Sequence, residues 1–401
     1  MKTRALSLLL VLAAAPALAE TPPPLSAGAL LGDKVKGPNW TVAEIVRSDG
    51  FVRLFTVESP YGNFQVNGQR RMEQRLNELR ALHTLEQMST TETFADALGT
   101  AGLAPIRFGR DLILDPVETT GNLFSGVANM FDRAISEVEQ ADASHDELID
   151  SAAGVSKAAR ELAFELKVDP YTDFTPLRDG LADVARAMAA GDLSVTAAIS
   201  AIPGGAGIAV SVTSTASGLA NPIRDKSSAE IAALVEEKLK PLDVNEDVIQ
   251  AFVENKAFSP ADTYAIADAL AALNARNSEA FVRRAATADS ADLAKFHRYR
   301  AELLVRHSAQ LGTLKEFYVV REFALNRSAD GALVAVFPFD DLAWTEQAAK
   351  SLDLISREMA TRGETRQPIL ATPGKVLPGA LAELKKRGWR VLILNEARAA
   401  M

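Results

Sequence analysis

Three short segments near the end of the chain carry the side chains best suited to chemistry. Asp340 and Asp341 follow one expected strand, Thr372-Pro373-Gly374-Lys375 follows the next, and Asn395 follows the last. Asp341 with Lys375 offers a carboxylate and an ammonium group to a polar ligand. A phosphate would also find a place at Gly374 and the N-terminus of the helix after it. The ligand candidates are therefore Asp340, Asp341, Thr372 and Lys375. The surrounding patterns are incomplete, however. Thr-Pro-Gly-Lys lacks the full Gly-x-x-x-x-Gly-Lys-Ser/Thr loop, and the chain holds neither Gly-x-Gly-x-x-Gly nor Gly-x-Ser-x-Gly. Asp340 also reads as a simple helix cap.

Other reactive residues are dispersed. His83, His145, His297 and His307 show no paired spacing, and with no cysteine in the chain they do not compose a zinc site. Asp169, Asp173, Asp179 and Asp183 lack the alternating oxygens and central glycine of a calcium loop, so they read as caps and solvated faces. Neither a metal nor a cofactor is expected.

The elements that must position the C-terminal candidates form a small α/β layer over 313–401. FYVVREFALN and ALVAVFPF read as two strands joined by the turn SADG. A helix over 342–359, the strand PILAT, a helix over 376–387 and the strand WRVLIL follow. In such a layer ligands bind beyond the carboxyl ends of the strands, where the candidates cluster.

Upstream, 40–90 reads as a small antiparallel sheet plus a helix. Ser48-Asp49-Gly50 and Ser59-Pro60-Tyr61-Gly62 supply hairpin turns. From Gln69 to Met88, Met72, Leu76, Leu79 and Leu82 share one helical face, with His83 at its border. Arg70, Glu73, Arg75, Glu78 and Arg80 take the other face. Residues 91–312 read as a helical domain in which Thr175 caps a helix starting at Pro176, and Ser259 caps one starting at Pro260. The fold class expected is α+β and mostly helical.

Within the helical domain no charge occurs from Leu193 to Ile223, although 24% of the chain is charged. One reading is a buried helical hairpin turning at Pro203-Gly204-Gly205, with Ile199, Ile202, Ile208, Val210 and Val212 as its apolar contacts. The other is contact with lipid, since small residues pack helices in membranes. A third has Ile208, Val210 and Val212 alternating along a strand. The first arm is far shorter than the roughly 20 apolar residues of a membrane span, which favours the core reading and leaves no expected transmembrane span.

The N-terminus reads as a leader over 1–19. Lys2 and Arg4 precede the apolar run from Leu6 to Ala15, and Ala17-Leu18-Ala19 gives a small-x-small cleavage pattern before Glu20. Residues 20–39, rich in Pro and Gly, read as an extended arm. An exported chain without cysteine must hold together without disulfides. A net charge of −9 argues against nucleic acid as a partner, and only 6% aromatic content offers little stacking surface.

The run GPNWTVAEIVRSDGFVRLFTVESPYGNFQV, the segments PVETTGNLFSGVANMF and VDPYTDFTPLRDGL, the motif IPGGAG and the WRVLIL ending together resemble an uncharacterised family of exported bacterial proteins. The likeness covers most of the chain after the leader. It implies export, periplasmic or extracellular, and no assigned activity. The expected function is that of a non-enzymatic cell-envelope protein, peripherally associated with the membrane or bound to an envelope protein through its Gly-rich apolar segments. The rival is a hydrolase or ligand-binding enzyme using the C-terminal crevice.

Overall fold

The computed structural model describes residues 19–100, 106, 108, 126–135, 155–200, 222–321 and 323–395. The protein is α+β and mostly helical, with an antiparallel sheet near the N-terminus and a mixed sheet near the C-terminus. Among the described residues no helix is long and apolar enough to cross a membrane.

Residues 20–39, expected as an extended arm, instead contribute β1 (Leu25–Ser26), α1 (Ala27–Leu31) and β2 (Lys36–Gly37). The Ser26 hydroxyl caps α1 by accepting from the Ala29 N–H, and Ala27 and Leu31 are buried. Pro and Gly here shape turns between short elements. Next come β3 (Trp40–Val42), β4 (Ile45–Ser48), β5 (Arg53–Ser59) and β6 (Gly62–Asn67). β5 is the hub of this sheet: β6 lines one edge over its whole length, while β3 and β4 share the other. Both expected hairpin turns are present. In the first, the Asp49 carboxylate accepts from the N–H groups of Phe51 and Val52, each at 2.9 Å. Gly50 there has φ +98°, a conformation that costs only glycine nothing.

The helix α2 (Gln69–Ser89) packs Met72, Leu76, Leu79, Leu82 and Met88 into the core as expected, with His83 part-buried at the border. Arg75 and Glu78, assigned by pattern to the solvent face, are buried along with Arg71. The reason lies in what covers them. α3 (Glu92–Thr100), α4 (Gly126–Ile135), α5 (Lys157–Glu165), α6 (Thr175–Ala190) and α7 (Val195–Ser200) are followed by the bundle α8 (Ser228–Leu239), α9 (Glu246–Val253), α10 (Pro260–Leu273), α11 (Glu279–Ala285), α12 (Ala291–Arg306) and α13 (Ser308–Leu311). The segment before α6 covers all three, with Asp173 on Arg71 and Arg75, Phe174 on Arg75 and Thr172 on Glu78, while side chains of α12 reach the neighbouring Arg70 and Gln74. Phe174, not Thr175, is the cap position of α6. Just before it, the Thr172 hydroxyl accepts from the Phe174 N–H at 3.1 Å. Ser259 and Asp262 form a complete capping box at α10.

The C-terminal layer comprises β7 (Leu314–Val320), β8 (Phe323–Ser328), β9 (Leu333–Val336), β10 (Asp341–Leu342), α14 (Glu346–Thr361), β11 (Ile369–Thr372), β12 (Lys375–Val376), α15 (Pro378–Lys386) and β13 (Arg390–Ile393). FYVVREFALN is not one strand. It folds back at Arg321, whose φ is +53°, so β7 and β8 are an antiparallel pair beside three parallel strands in the order β13-β11-β9-β8-β7.

Two apolar cores result. One joins the N-terminal sheet to α2, α3, α5 and α6; the other joins α4 and α8–α13 to the C-terminal sheet. The tip of the β4–β5 hairpin crosses between them. Phe51 leaves its own sheet and stacks on Phe131 of α4, centroids 4.4 Å apart, with Phe339 at 5.2 Å. Phe131 also touches Phe323 and Phe337. Replacing Phe131 with Ala should cost about 3–5 kcal/mol in urea unfolding. A loss confined to α4, with the rest of the transition unchanged, would show that this aromatic cluster does not couple the two cores.

Candidate functional site

The expected candidates divide into three environments. Asp341 receives the Arg53 guanidinium in a two-point pair, Nε at 2.6 Å and Nη2 at 3.0 Å. One Asp340 oxygen accepts from the backbone N–H groups of Arg53 (2.8 Å) and Gln69 (2.9 Å). In the other direction, the Phe51 carbonyl accepts from the Asp340 N–H, and the Gly50 carbonyl from the Ala343 N–H. The two aspartates thus clasp the hairpin tip and the start of α2. Burial pushes the Asp340 carboxyl up to about 6, against two opposing backbone hydrogen bonds. Thr372 is fully buried and serves its own turn, its hydroxyl accepting from the Gly374 N–H at 3.3 Å. Gly374 passes so close to the Phe339 and Asp340 carbonyls that a Cβ would lie 2.2–2.3 Å from them. Lys375 stands opposite Asp341 in the β10–β12 pairing, yet its side chain is exposed and joins a different feature.

That feature is a groove of about 800 Å³ between β13 and α15. Leu381, Val391 and Ile393 supply apolar lining, and Lys375, Lys385 and Arg390 the charged groups; no acid lines it. None of these three cations forms an ion pair among the described residues, and all are exposed. Ile393 is 48% exposed, one of the few large apolar side chains left to solvent. The signal in the sequence was the position of WRVLIL, the last strand of a strand–helix–strand series, which the topology places at a sheet edge.

A second arrangement escaped pattern reading altogether. Between the two cores runs a chain of charged groups. Arg71 and Arg75 of α2 meet Asp173, and Arg75 also meets Glu78 at 3.0 Å. The Thr172 hydroxyl donates to Glu78 at 2.8 Å. Arg70 pairs with Glu302, which pairs with Arg298 at 2.9 Å, and both Arg298 and Lys295 reach Asp262 at 2.8 Å. Burial would raise the Asp262 and Asp173 carboxyls, but the facing cations outweigh it and hold both well below the usual carboxylate range. Asp169 and Asp292 are raised, because burial there exceeds the help from Lys295 and Arg71. Asp169 and Asp173 are therefore joints rather than caps and solvated faces. Positions 71, 75, 78, 82 and 85 of α2 are spaced as a second helical stripe, polar at one end and apolar at the other. Only the knowledge that the helix is covered on two sides would have revealed it.

Of the uncharged segment, Ile199 lies half-buried on α7 and packs with Ala198 against the N-terminal core. Ile202, Pro203, Gly204, Gly205, Ile208, Val210 and Val212 lie outside the described residues. No group of three or more His, Asp or Glu among the described residues is placed to hold a metal ion. No family model, curated protein or solved structure matches this chain.

Two outcomes test the clasp. Arg53→Met strands the Asp341 carboxylate and should cost roughly 3–5 kcal/mol, most of it regained in Arg53→Met/Asp341→Leu. A double variant no more stable than the single one would refute the pairing. The Asp340 carboxyl, raised from 3.8 to about 6 in the fold, binds its proton more tightly folded than unfolded. Its contribution is complete below the lower value and is lost as pH rises through the upper one. Asp340→Asn should flatten that fall in unfolding free energy between the two values.

Proposed function

We propose that this chain is a non-enzymatic binding protein of the bacterial cell envelope, exported behind its leader and docking a partner. The observation that carries this reading is the groove along β13, where an apolar floor, an exposed Ile393 and three cations without ion pairs lie together. Such a surface offers contact area and charge with no group poised to make or break a bond. The rival hydrolase reading would use Asp340 and Asp341, but both are engaged by Arg53 and by backbone amides. The uncharged segment over 193–223 is kept as a further contact surface for a partner or a membrane.

The position of Glu20 supports export with cleavage after Ala19. Its N–H donates to the Trp344 carbonyl at 2.8 Å, and its carboxylate accepts from the Trp344 N–H at 3.3 Å. Beside it, Gly379 of α15 leaves room that a Cβ would fill, 2.8 Å from the carboxylate. Cleavage would convert that amide into an ammonium group, an equally competent and stronger donor to the same carbonyl.

The test joins both parts. Intact mass of the protein from the envelope fraction should correspond to a chain starting at Glu20. A photo-crosslinking residue at Ile393 should give a discrete adduct in intact cells, lost in the Lys385→Glu/Arg390→Glu background. An uncleaved cytosolic chain would remove the envelope assignment, and absence of an adduct from every groove position would remove the docking site.

A further inference from the structure

We propose that the open edge of β13 binds an extended acidic peptide segment of a partner protein by strand addition, as a sixth strand of the C-terminal sheet. This rests on the docking reading above and names the partner's chemistry and geometry. The argument begins with the direction of the backbone groups. The Arg390 N–H donates to the Pro368 carbonyl at 2.8 Å and the Leu394 N–H to the Thr372 carbonyl at 2.9 Å. In a parallel strand alternate residues face opposite edges, so Val391 and Ile393 turn their N–H and C=O groups away from β11. Among the described residues β13 pairs with β11 alone. Two residues thus present a ready-made ladder that no strand among the described residues occupies.

Protected edges are usually covered, bulged or studded with charge pointing across them. Here Arg390 stands at the start of the edge, while the two residues with outward amides, Val391 and the exposed Ile393, carry no charge across it. The side chains of Val391 and Ile393 fall on the same sheet face, and both line the groove with Leu381 of α15. An incoming strand would bring alternate apolar side chains onto that floor while its amides complete the ladder.

Charge selects among strands. The chain carries −9 overall, yet the groove holds Lys375 at one end of β13, Arg390 at the other and Lys385 above, with no acid in its lining. This local reversal of sign favours carboxylates alternating with apolar residues and disfavours basic segments. The far end of the site is already closed. The Gln310 side chain donates to the Asn395 carbonyl at 3.0 Å and accepts from the Asn395 N–H at 3.2 Å, taking the two bonds a neighbouring strand would make there.

The experiment uses the full chain lacking its leader and a fluorescein-labelled peptide of alternating Val and Glu, read by anisotropy. Saturable binding is expected, weakened about tenfold or more by methylating alternate peptide amides, a loss equivalent to one or two backbone hydrogen bonds. Ile393→Pro removes an outward N–H and keeps the ladder to β11, as edge strands tolerate, and should weaken binding comparably with thermal stability retained. Arg390→Glu, at an exposed position, should do so through charge, and a Val/Lys peptide should not bind. Equal binding of the methylated peptide, or binding only of dodecanoate or of phosphatidylglycerol vesicles, overturns strand addition. So does failure of the Val/Glu peptide to bind the unmodified chain. If a cross-link from a groove position forms in cells under any of those outcomes, the docking reading survives; without one from any groove position, both fall.

Discussion

The clasp between the β4–β5 hairpin and the Asp340-Asp341 pair is the contact on which the rest of the molecule depends. Phe51 crosses from one core into the other, and a crossing side chain needs its backbone held on both sides. Asp340 holds the N–H groups behind it, the Phe51 carbonyl accepts from the segment it enters, and Arg53 meets Asp341 with two hydrogen bonds. Charge-assisted two-point pairs fix direction as well as distance. Gly50 and Gly374 make the approach feasible, the first because a Cβ would strike Thr345, the second because it would strike two carbonyls. Arg53, Asp340 and Gly374 therefore act together although nearly 300 residues of chain separate the first two.

The charged seam between the cores is a different kind of joint. Asp262 is 1% exposed and faces Lys295 and Arg298, while Arg71 is 4% exposed and faces Asp173. Buried pairs of this kind add little net stability compared with apolar packing, because desolvation offsets most of the attraction. What they do supply is exclusivity. An apolar seam would tolerate sliding of α12 over α10, or of α2 over the segment before α6, whereas each mispaired carboxylate or guanidinium would be left in a dry site without a partner. The aromatic contacts of Arg70 with Tyr299 and Arg75 with Phe174, each at 4.1 Å, extend that matching to the flat faces of the same guanidinium groups.

Much of the fold was legible because local rules governed it. The Asp49-Gly50 turn, the capping box at Ser259 and the apolar stripe of α2 rest on spacing within a few residues. The assignment failed where a distant segment decided the outcome. Arg75 and Glu78 read as solvent-facing because nothing nearby announces that the distant segment holding Thr172, Asp173 and Phe174 will cover them. Asp340 and Asp341 read as ligand groups because a carboxylate pair after a strand has the same spelling whether it awaits a substrate or an arginine from the other end of the chain. Of the four candidates only Lys375 lies on the groove, and its neighbours there, Lys385, Arg390 and Ile393, carry no motif. Their significance comes from being at the end of a sheet, a fact of topology rather than of residue type.

The side chain of Gln310 gives that sheet end one further property. By closing the ladder at Asn395 it sets a boundary after two open residues, so a visiting segment has a fixed stopping point and hence a fixed phase of its side chains against the floor. A longer, unbounded margin would invite copies of the same protein to stack indefinitely, as in fibrils. A single amide in the position of a missing neighbour turns a hazard of aggregation into a berth of defined length.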